Sequence, residues 1–192
     1  MNNENTKETC PVWIGYGLKS GIRKLIHNPK KILKKFIEPN MVVADIGTGM
    51  GFMTIPMAKM VGESGEVFAI DIQEKMLLEV KKTANKNNIG TRILPIKCKQ
   101  ESLMLEKHND TIDFALMFMI VHEAKNKEKL LTDIFKALKP GGLLMISEPI
   151  IHVSKKCFDN TIEIATNIGF KVSNLKQTVA ICRTIILQKK TF

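Results

Sequence analysis

The sequence predicts an α/β fold built on a largely parallel sheet. Short apolar runs, typical of buried strands, alternate with segments of helical period along most of the chain. The run 112–121 is nearly all apolar, as expected of a strand that helices cover on both faces. With 192 residues, the chain is long enough for one domain with a sizeable core.

The elements are predicted in alternating order. Asn28 and Pro29 predict the start of a helix over 30–37, because Asn caps helices and Pro fits their first turn. Lys139–Gly142 is interpreted as the stop of a later helix. The remaining predictions are strands at 41–46, 67–71, 92–96, 112–121 and 143–147, helices at 52–61, 74–87, 127–138 and 155–168, and closing strands at 171–175 and 179–187.

The turn after the first strand indicates a ligand site. Asp45 lies at the end of the strand, and glycines follow at alternate positions, Gly47, Gly49 and Gly51. A glycine turn between a strand and a helix lets the backbone approach a ligand, and the free N–H groups of the helix start point to the same place. Asp71 closes the second strand. The pattern predicts a nucleotide-type binding loop.

Cysteine usage and hydropathy predict a cytoplasmic protein. The four cysteines are scattered, without a Cys-x-x-Cys pair, which favours reduced thiols. The first ten residues are polar and do not resemble a signal peptide, and no apolar run is long enough to span a membrane. The sequence predicts no metal site.

The net charge of +10 is concentrated at the two ends. Residues 1–40 carry eight Lys or Arg against three Glu, and residues 171–192 carry five Lys or Arg and no acid. Basic ends can attract nucleic acid, anionic lipid or an anionic small molecule. They can equally be a solvated surface that keeps the protein in solution.

Four segments together resemble the class I S-adenosylmethionine-dependent methyltransferases. They are 45–51, Asp71, 114–123, and the segment from Leu138 through Gly142 to Pro149. The small-molecule branch, which includes ubiquinone/menaquinone biosynthesis methyltransferases, is the most similar. The resemblance covers about residues 40–188. It implies a Rossmann-like seven-stranded sheet, mostly parallel with a closing antiparallel strand, in a single domain whose residues 1–38 form a helical lid on the core 39–192.

The resemblance implies S-adenosyl-L-methionine as the cofactor. Asp71 would accept hydrogen bonds from both ribose hydroxyls, and Asp45 would hold the ammonium group. Many relatives have Asp where Lys99 stands, so Gln100 or Glu101 is expected at the polar edge of the adenine. The cofactor-binding set is Asp45, Gly47, Thr48, Gly49, Gly51, Asp71, Ile72, Gln100, Glu101 and Phe118.

Three further residues are expected at the methyl acceptor. His122, after the fourth strand, is the first candidate for a catalytic base, ahead of Glu123 and Glu148. Trp13 and Tyr16 are expected in the lid, facing the acceptor. The bland alternatives stay open: His122 could be a surface residue, Asp45 could only anchor the loop, and the two aromatic residues could staple the N-terminal helix.

The sequence therefore predicts in-line methyl transfer to a small-molecule acceptor, which can be anionic. An RNA methyltransferase that uses the basic ends is the alternative, although no Asn/Asp-Pro-Pro-Tyr/Phe motif is present. An NAD-type oxidoreductase is less favoured, because its loop has the spacing Gly-x-Gly-x-x-Gly. A non-catalytic S-adenosylmethionine-binding protein is the fourth hypothesis.

Overall fold

The computed structural model describes residues 26–191, which form a seven-stranded sheet between two layers of helices. The strands are β1 (Val42–Ile46), β2 (Glu66–Asp71), β3 (Ile93–Lys97), β4 (Ile112–Phe118), β5 (Leu138–Pro149), β6 (Phe170–Val172) and β7 (Cys182–Lys189). The α-helices are α1 (Pro29–Leu33), α2 (Thr54–Met60), α3 (Glu74–Lys86), α4 (Lys127–Ala137) and α5 (Lys155–Ile168). Short 3-10 helices lie at Gly90–Arg92 and Val121–Glu123.

The strand order is β3-β2-β1-β4-β5-β7-β6. The first five strands in this order pair in parallel, and β7 runs antiparallel to both of its neighbours. Chain order reverses between β1 and β4, which are adjacent in space. In open α/β sheets, ligands bind beyond the carboxyl ends of the strands at such a switch point. The predicted fold class is confirmed, and the topology places the glycine turn at this position.

Strand β4 shows why the central run of the sequence is apolar throughout. Phe114 and Leu116 belong to the core on one face of the sheet, whereas Ala115 and Met117 belong to the core on the other face. All four side chains are buried. Because helices cover both faces, the strand has no solvent-facing side and no polar alternation.

Helix α1 begins as predicted and ends early. The Asn28 side chain accepts a hydrogen bond from the Lys31 backbone N–H (3.2 Å), and Pro29 occupies the first turn. The helix ends at Leu33 rather than at residue 37, where the chain tightens into a turn closed by Phe36 N–H and Leu33 C=O (2.9 Å). The apolar residues of the predicted stripe still enter the core, and the lysines between them are exposed.

The Lys139–Gly142 segment does not separate helix α4 from the next strand. Strand β5 already begins at Leu138, so the predicted start at residue 143 was wrong. The pairing with β4 shifts between Ile112↔Leu138 and Phe114↔Leu143, which is a β-bulge. Gly141 has φ +81°, a conformation that favours glycine. The two glycines therefore bend a continuous strand instead of ending a helix.

The closing strands are shorter than predicted. Strand β6 has three residues, and β7 begins at Cys182 rather than at residue 179. Within residues 26–191, no helix has the length and apolar character needed to cross a membrane.

Candidate functional site

A cleft of about 950 Å³ opens at the carboxyl ends of β1, β2 and β4. Polar backbone and acidic groups line one part of it, and methionine, isoleucine and phenylalanine side chains line the rest. Eight of the predicted cofactor-binding residues contribute to its wall: Asp45, Gly47, Thr48, Gly49, Gly51, Asp71, Ile72 and Phe118. One connected cavity thus brings together residues from three strand ends.

The glycine turn, residues 47–51, is fixed to the end of β2. The backbone N–H groups of Gly47 and Thr48 both donate to the Ile70 carbonyl oxygen (2.8 and 3.0 Å). Gly47 has φ +74°, and a Cβ atom there would lie 2.6 Å from Cγ1 of Ile120. Only glycine satisfies both the backbone conformation and this close approach. The turn is therefore packed directly against the chain that leaves β4.

Asp71 holds the other side of the same turn. Its Oδ2 accepts the Gly49 N–H (2.8 Å) and its Oδ1 accepts the Gln73 N–H (2.9 Å). Burial raises the pKa of this carboxyl group, and these backbone hydrogen bonds oppose the rise. Each carboxylate oxygen can accept a second hydrogen bond. The group can therefore receive the two hydroxyls of a ribose while it still supports the turn.

Asp45 is buried at the floor of the cleft. Its Oδ2 accepts a hydrogen bond from the Thr54 hydroxyl (2.6 Å) in helix α2, and Thr54 in turn contacts the Thr48 hydroxyl. This network ties the glycine turn to the helix that follows it. The loop-anchoring interpretation of Asp45 therefore has direct support, and the position of Asp45 in the cleft wall keeps the ligand-binding interpretation open.

The β4 exit loop, residues 119–123, forms the opposite wall, and Glu148 at the end of β5 organises it. Glu148 Oε1 accepts the backbone N–H groups of Ile120 (2.9 Å) and Val121 (3.1 Å). Its Oε2 accepts the backbone N–H of His122 (3.0 Å) and lies 2.7 Å from His122 Nδ1. The sequence predicts Glu148 only as a candidate base behind His122, and this loop-capping role is not apparent from it. A buried Glu at the carboxyl end of a central strand was the available signal.

His122 lies beside the cleft rather than in its wall. Its ring stacks on His152, with centroids 6.1 Å apart and an interplanar angle of 11°. The hydrogen bond to Glu148 raises the pKa of His122, and partial burial opposes the rise. The neighbouring Glu123 does line the cleft, and burial raises its pKa. His122 is therefore a titratable group, and one of its two ring nitrogens, Nδ1, is already hydrogen-bonded to Glu148.

The remaining predicted residues lie elsewhere. Gln100 and Glu101 are exposed in a turn closed by the Lys99–Ser102 bridge, outside the residues that line the cleft. Trp13 and Tyr16 lie outside the described residues. In the part of the chain that the structure describes, no group of three or more His, Cys, Asp or Glu side chains is placed to hold a metal ion.

The His122–Glu148 pair makes stability depend on pH. Since the folded protein raises the pKa of His122, the pair stabilises the fold below the ordinary histidine pKa of about 6.5, and this contribution is lost as pH rises through the folded-state pKa. We expect His122→Asn to lower the Tm more at about pH 6 than at about pH 9. Thermal unfolding followed by circular dichroism across this range measures the difference. A deficit that grows as pH rises would contradict the expectation.

Three features together are typical of an α/β protein that binds a nucleotide-type cofactor. They are the cleft at the switch point, the glycine turn after β1 and the acid at the end of β2. Residues 37–187 match the family model described as "Methyltransferase domain". The chain therefore belongs to the class I S-adenosylmethionine-dependent methyltransferase family, as the sequence motifs predicted.

Relatives of known name agree with this assignment. The ubiquinone/menaquinone biosynthesis C-methyltransferase UbiE of Salmonella arizonae is 29% identical over 142 residues, which cover 72% of this chain and 56% of the relative. The chain thus spans little more than half the length of the curated relatives it matches.

Solved structures show the same architecture. An S-adenosylmethionine-dependent methyltransferase from Aquifex aeolicus superimposes with a TM-score of 0.82 at 26% identity, over 94% of this chain and 99% of that one. A TehB-like methyltransferase from Corynebacterium glutamicum gives a TM-score of 0.69 at 13% identity, over 94% and 100% of the two chains. The second likeness shows the fold alone.

Proposed function

We propose that the protein transfers the methyl group of S-adenosyl-L-methionine to a carbon atom of a small-molecule acceptor. The observation that carries this proposal is the cleft in which the glycine turn and Asp71 meet the β4 exit loop. Support for a carbon acceptor comes from the relatives named as C-methyltransferases. Support for a small acceptor comes from the concave shape of the cleft and its largely apolar wall.

The residues of the cleft fit the cofactor of this family. Asp71 offers acceptors to two ribose hydroxyls, and Ile72 and Met76 offer apolar surface to an adenine ring. A Cβ atom at Gly49 would have no neighbour within 4 Å, so the turn has open space there in which the amino-acid end of the cofactor can lie against the backbone. Asp45 and Glu123 add acidic groups that suit a cationic ligand. Gln100 and Glu101 do not contribute to this wall, so we assign the adenine contacts to Ile72 and its neighbours.

The cofactor supplies an electrophilic methyl group when it is bound. The contribution of the chain is to align the acceptor with that methyl group and to exclude water. Phe118 and Met119 lie where β4 opens into the cleft and are placed to border the reacting atoms. Met119 holds a left-handed backbone conformation (φ +60°) while its N–H donates to Ser147 C=O (2.8 Å). This geometry directs the exit loop across the end of the sheet.

The acceptor side extends toward the N-terminal segment. Lys30 and Lys59 contribute to the cleft wall, which suits an acceptor with an anionic group. We propose that Asn28, Pro29 and Lys30, which contribute to the cleft wall, border the acceptor, and that residues 39–192 form the cofactor-binding core. The exposed Lys31, Lys34 and Lys35 then contribute weak attraction for anions rather than recognition of a nucleic acid.

A cytoplasmic location agrees with the cysteines. Cys98, Cys157 and Cys182 are free thiols. Reduced thiols are usual in a reducing compartment.

Titration calorimetry tests the cofactor assignment. We expect micromolar dissociation constants for S-adenosylmethionine and S-adenosylhomocysteine and no heat with NAD, since the alternate glycines leave no dinucleotide loop. Incubation of whole-cell extract, with its RNA retained, with the enzyme and methyl-labelled cofactor, followed by mass spectrometry, then identifies the product. Binding of NAD without binding of either adenosyl compound would overturn the proposal, and exclusive labelling of RNA would replace the small-molecule acceptor.

A further inference from the structure

An exposed apolar patch lies where β5 ends and β7 begins, at the edge of the sheet onto which the cleft also opens. Ile150, Ile151 and Ile181 form this isoleucine patch, and the Ile151 side chain is 78% exposed. The Ile150 N–H donates to the Ile181 carbonyl oxygen (3.0 Å), so the two segments that carry the patch are adjacent. Isoleucine is among the residue types most often buried, so three exposed neighbours call for an explanation.

The segments that carry the patch are fixed in place, so its exposure is a property of the fold. The backbone N–H groups of His152 and Val153 both donate to the Pro149 carbonyl oxygen (3.2 and 3.0 Å), which closes a tight turn after β5. In the second segment, the Cys182 N–H donates to the Val179 carbonyl oxygen (3.2 Å). Val153 and Val179 are both buried. Each segment therefore buries a valine and turns isoleucine outward.

The conformation of Ile181 adds an independent observation. Its backbone is left-handed (φ +54°), which is unusual for a β-branched residue and which glycine adopts with less strain. Half of the side chain is exposed, so packing in the core offsets little of this strain. Strained residues of this kind cluster at functional sites. The position of Ile181 thus favours a role for its side chain outside the folded core.

The charge of the two segments narrows the choice of partner. Residues 149–158 and 173–183 contain no Asp or Glu. Lys156 and Lys176 are exposed within them, whereas Lys155 pairs with Asp159 (2.6 Å). A second copy of this chain would bring the same positive charge to the contact, which is unfavourable. The surface therefore suits a partner that is anionic and that also accepts aliphatic side chains.

We propose that the isoleucine patch docks the protein on an anionic lipid surface. The isoleucines enter the boundary between headgroups and acyl chains, and Lys156 and Lys176 face the headgroups. Apolar burial and attraction to anionic lipid act together in this type of peripheral binding. The docking does not depend on the identity of the methyl acceptor.

The composition of the patch favours lipid over RNA. Recognition of RNA usually uses aromatic side chains on which unpaired bases stack. In the two segments, Phe158 is buried and the His152 ring already stacks on His122. Protruding isoleucines give a base no flat surface, whereas acyl chains accept them readily.

Co-sedimentation of the full-length, ligand-free protein with vesicles tests the docking. We expect vesicles of equal parts phosphatidylcholine and phosphatidylglycerol to bind at least about tenfold more strongly than phosphatidylcholine alone, because each lysine near an anionic surface adds attraction. Binding should weaken as salt rises. Equal binding to the two kinds of vesicle, or no binding to either, would overturn the proposal.

Ile151→Ser tests the apolar contribution, with Leu78→Ser as the matched control. Leu78 lies on helix α3 and is 59% exposed, but it is outside the patch. We expect Ile151→Ser to weaken binding to the anionic vesicles about tenfold, as for the lost burial of one isoleucine, and Leu78→Ser to leave it unchanged. Unchanged binding in Ile151→Ser, or an equal loss in both variants, would show that the patch does not enter the lipid.

Ile181→Gly separates docking from a structural role of the same residue. Glycine relieves the left-handed strain, so the Tm should stay the same or rise, while binding to anionic vesicles should fall at least about threefold. Thermal unfolding and co-sedimentation measure the two effects on one preparation. A lower Tm with unchanged vesicle binding would mean that Ile181 serves the fold alone.

Two other occupants of the patch are distinguished by Ile151→Ser. Binding of total cellular RNA that weakens in this variant, without vesicle binding by the wild type, would assign the patch to RNA. A wild-type dimer that becomes a monomer in this variant, measured by light scattering, would assign it to self-association. Either result would overturn the lipid proposal.

Discussion

Asp71→Ala should weaken the binding of S-adenosylhomocysteine at least about tenfold. The substitution removes the acceptors for two ribose hydroxyls, and charge-assisted hydrogen bonds of this kind contribute roughly 1.5–3 kcal/mol each. It also leaves the N–H groups of Gly49 and Gln73 without their carboxylate partner. The loss of the ribose acceptors and the loss of support for the glycine turn both weaken cofactor binding at the same side of the cleft. Titration calorimetry of the folded variant measures the dissociation constant.

Glu74→Gln provides the control for Asp71. Glu74 begins helix α3 three residues further along and forms an exposed ion pair with Lys97 (2.7 Å). It does not contribute to the cleft wall. This substitution removes an acid from the same turn and should leave the dissociation constant unchanged. Equal affinities of Asp71→Ala and wild type would show that the end of β2 does not hold the ribose.

Gly47→Ala should remove measurable cofactor binding. A Cβ atom at this position would lie 2.6 Å from Cγ1 and 3.0 Å from Cβ of Ile120. The Ile120 N–H is held by Glu148 (2.9 Å), so the loop has little freedom to retreat. The glycine turn must then move into the space that the ligand needs. We expect a fall in affinity of at least about a hundredfold, which corresponds to roughly 2.8 kcal/mol.

Gly62→Ala separates the collision from the backbone strain. Gly62 has φ +73°, almost the same as Gly47 at +74°, but a Cβ atom there would have no neighbour within 4 Å. Both variants carry a left-handed alanine, which costs about 1–2 kcal/mol and lowers the Tm by roughly 2–8 °C in a chain of this size. Only Gly47→Ala should also lose cofactor binding. Similar binding by the two variants would mean that the approach of Ile120 to the turn does not shape the site.

Local patterns were sufficient to predict most of the framework. The alternation of apolar and amphipathic segments predicted the order of strands and helices. The Asn28 cap and the helix over 155–168 were predicted correctly, because both depend on neighbouring residues alone. The Lys139–Gly142 segment was misread, because the same glycines suit a helix end and a bulge. Pairing with Ile112, which is distant in sequence, decides between them.

The residues of the site likewise fall into those that the sequence predicts and those that it does not. The glycine turn was predicted from spacing, since the turn needs small residues at fixed positions, and the role of Asp71 was predicted from the resemblance. The function of Glu148 could not be predicted by spacing, because it joins the end of β5 to a loop 26 residues earlier in the chain. Gln100 and Glu101 were placed by resemblance, and the turn that carries them points them to solvent. Contacts that bridge separate strands emerge only from the assembled sheet.

The two outer strands of the sheet affect how the protein behaves in concentrated solution. An unpaired strand edge can recruit an edge from another molecule and begin aggregation. At one side, β3 is five residues long and contains Pro95, which has no N–H to offer, and ends in Lys97. At the other side, β6 has only three residues, with Lys171 at its centre. Short length, proline and lysine at these edges disfavour sheet extension between molecules, so the chain can carry a long apolar sheet interior without exposing a template for fibrils.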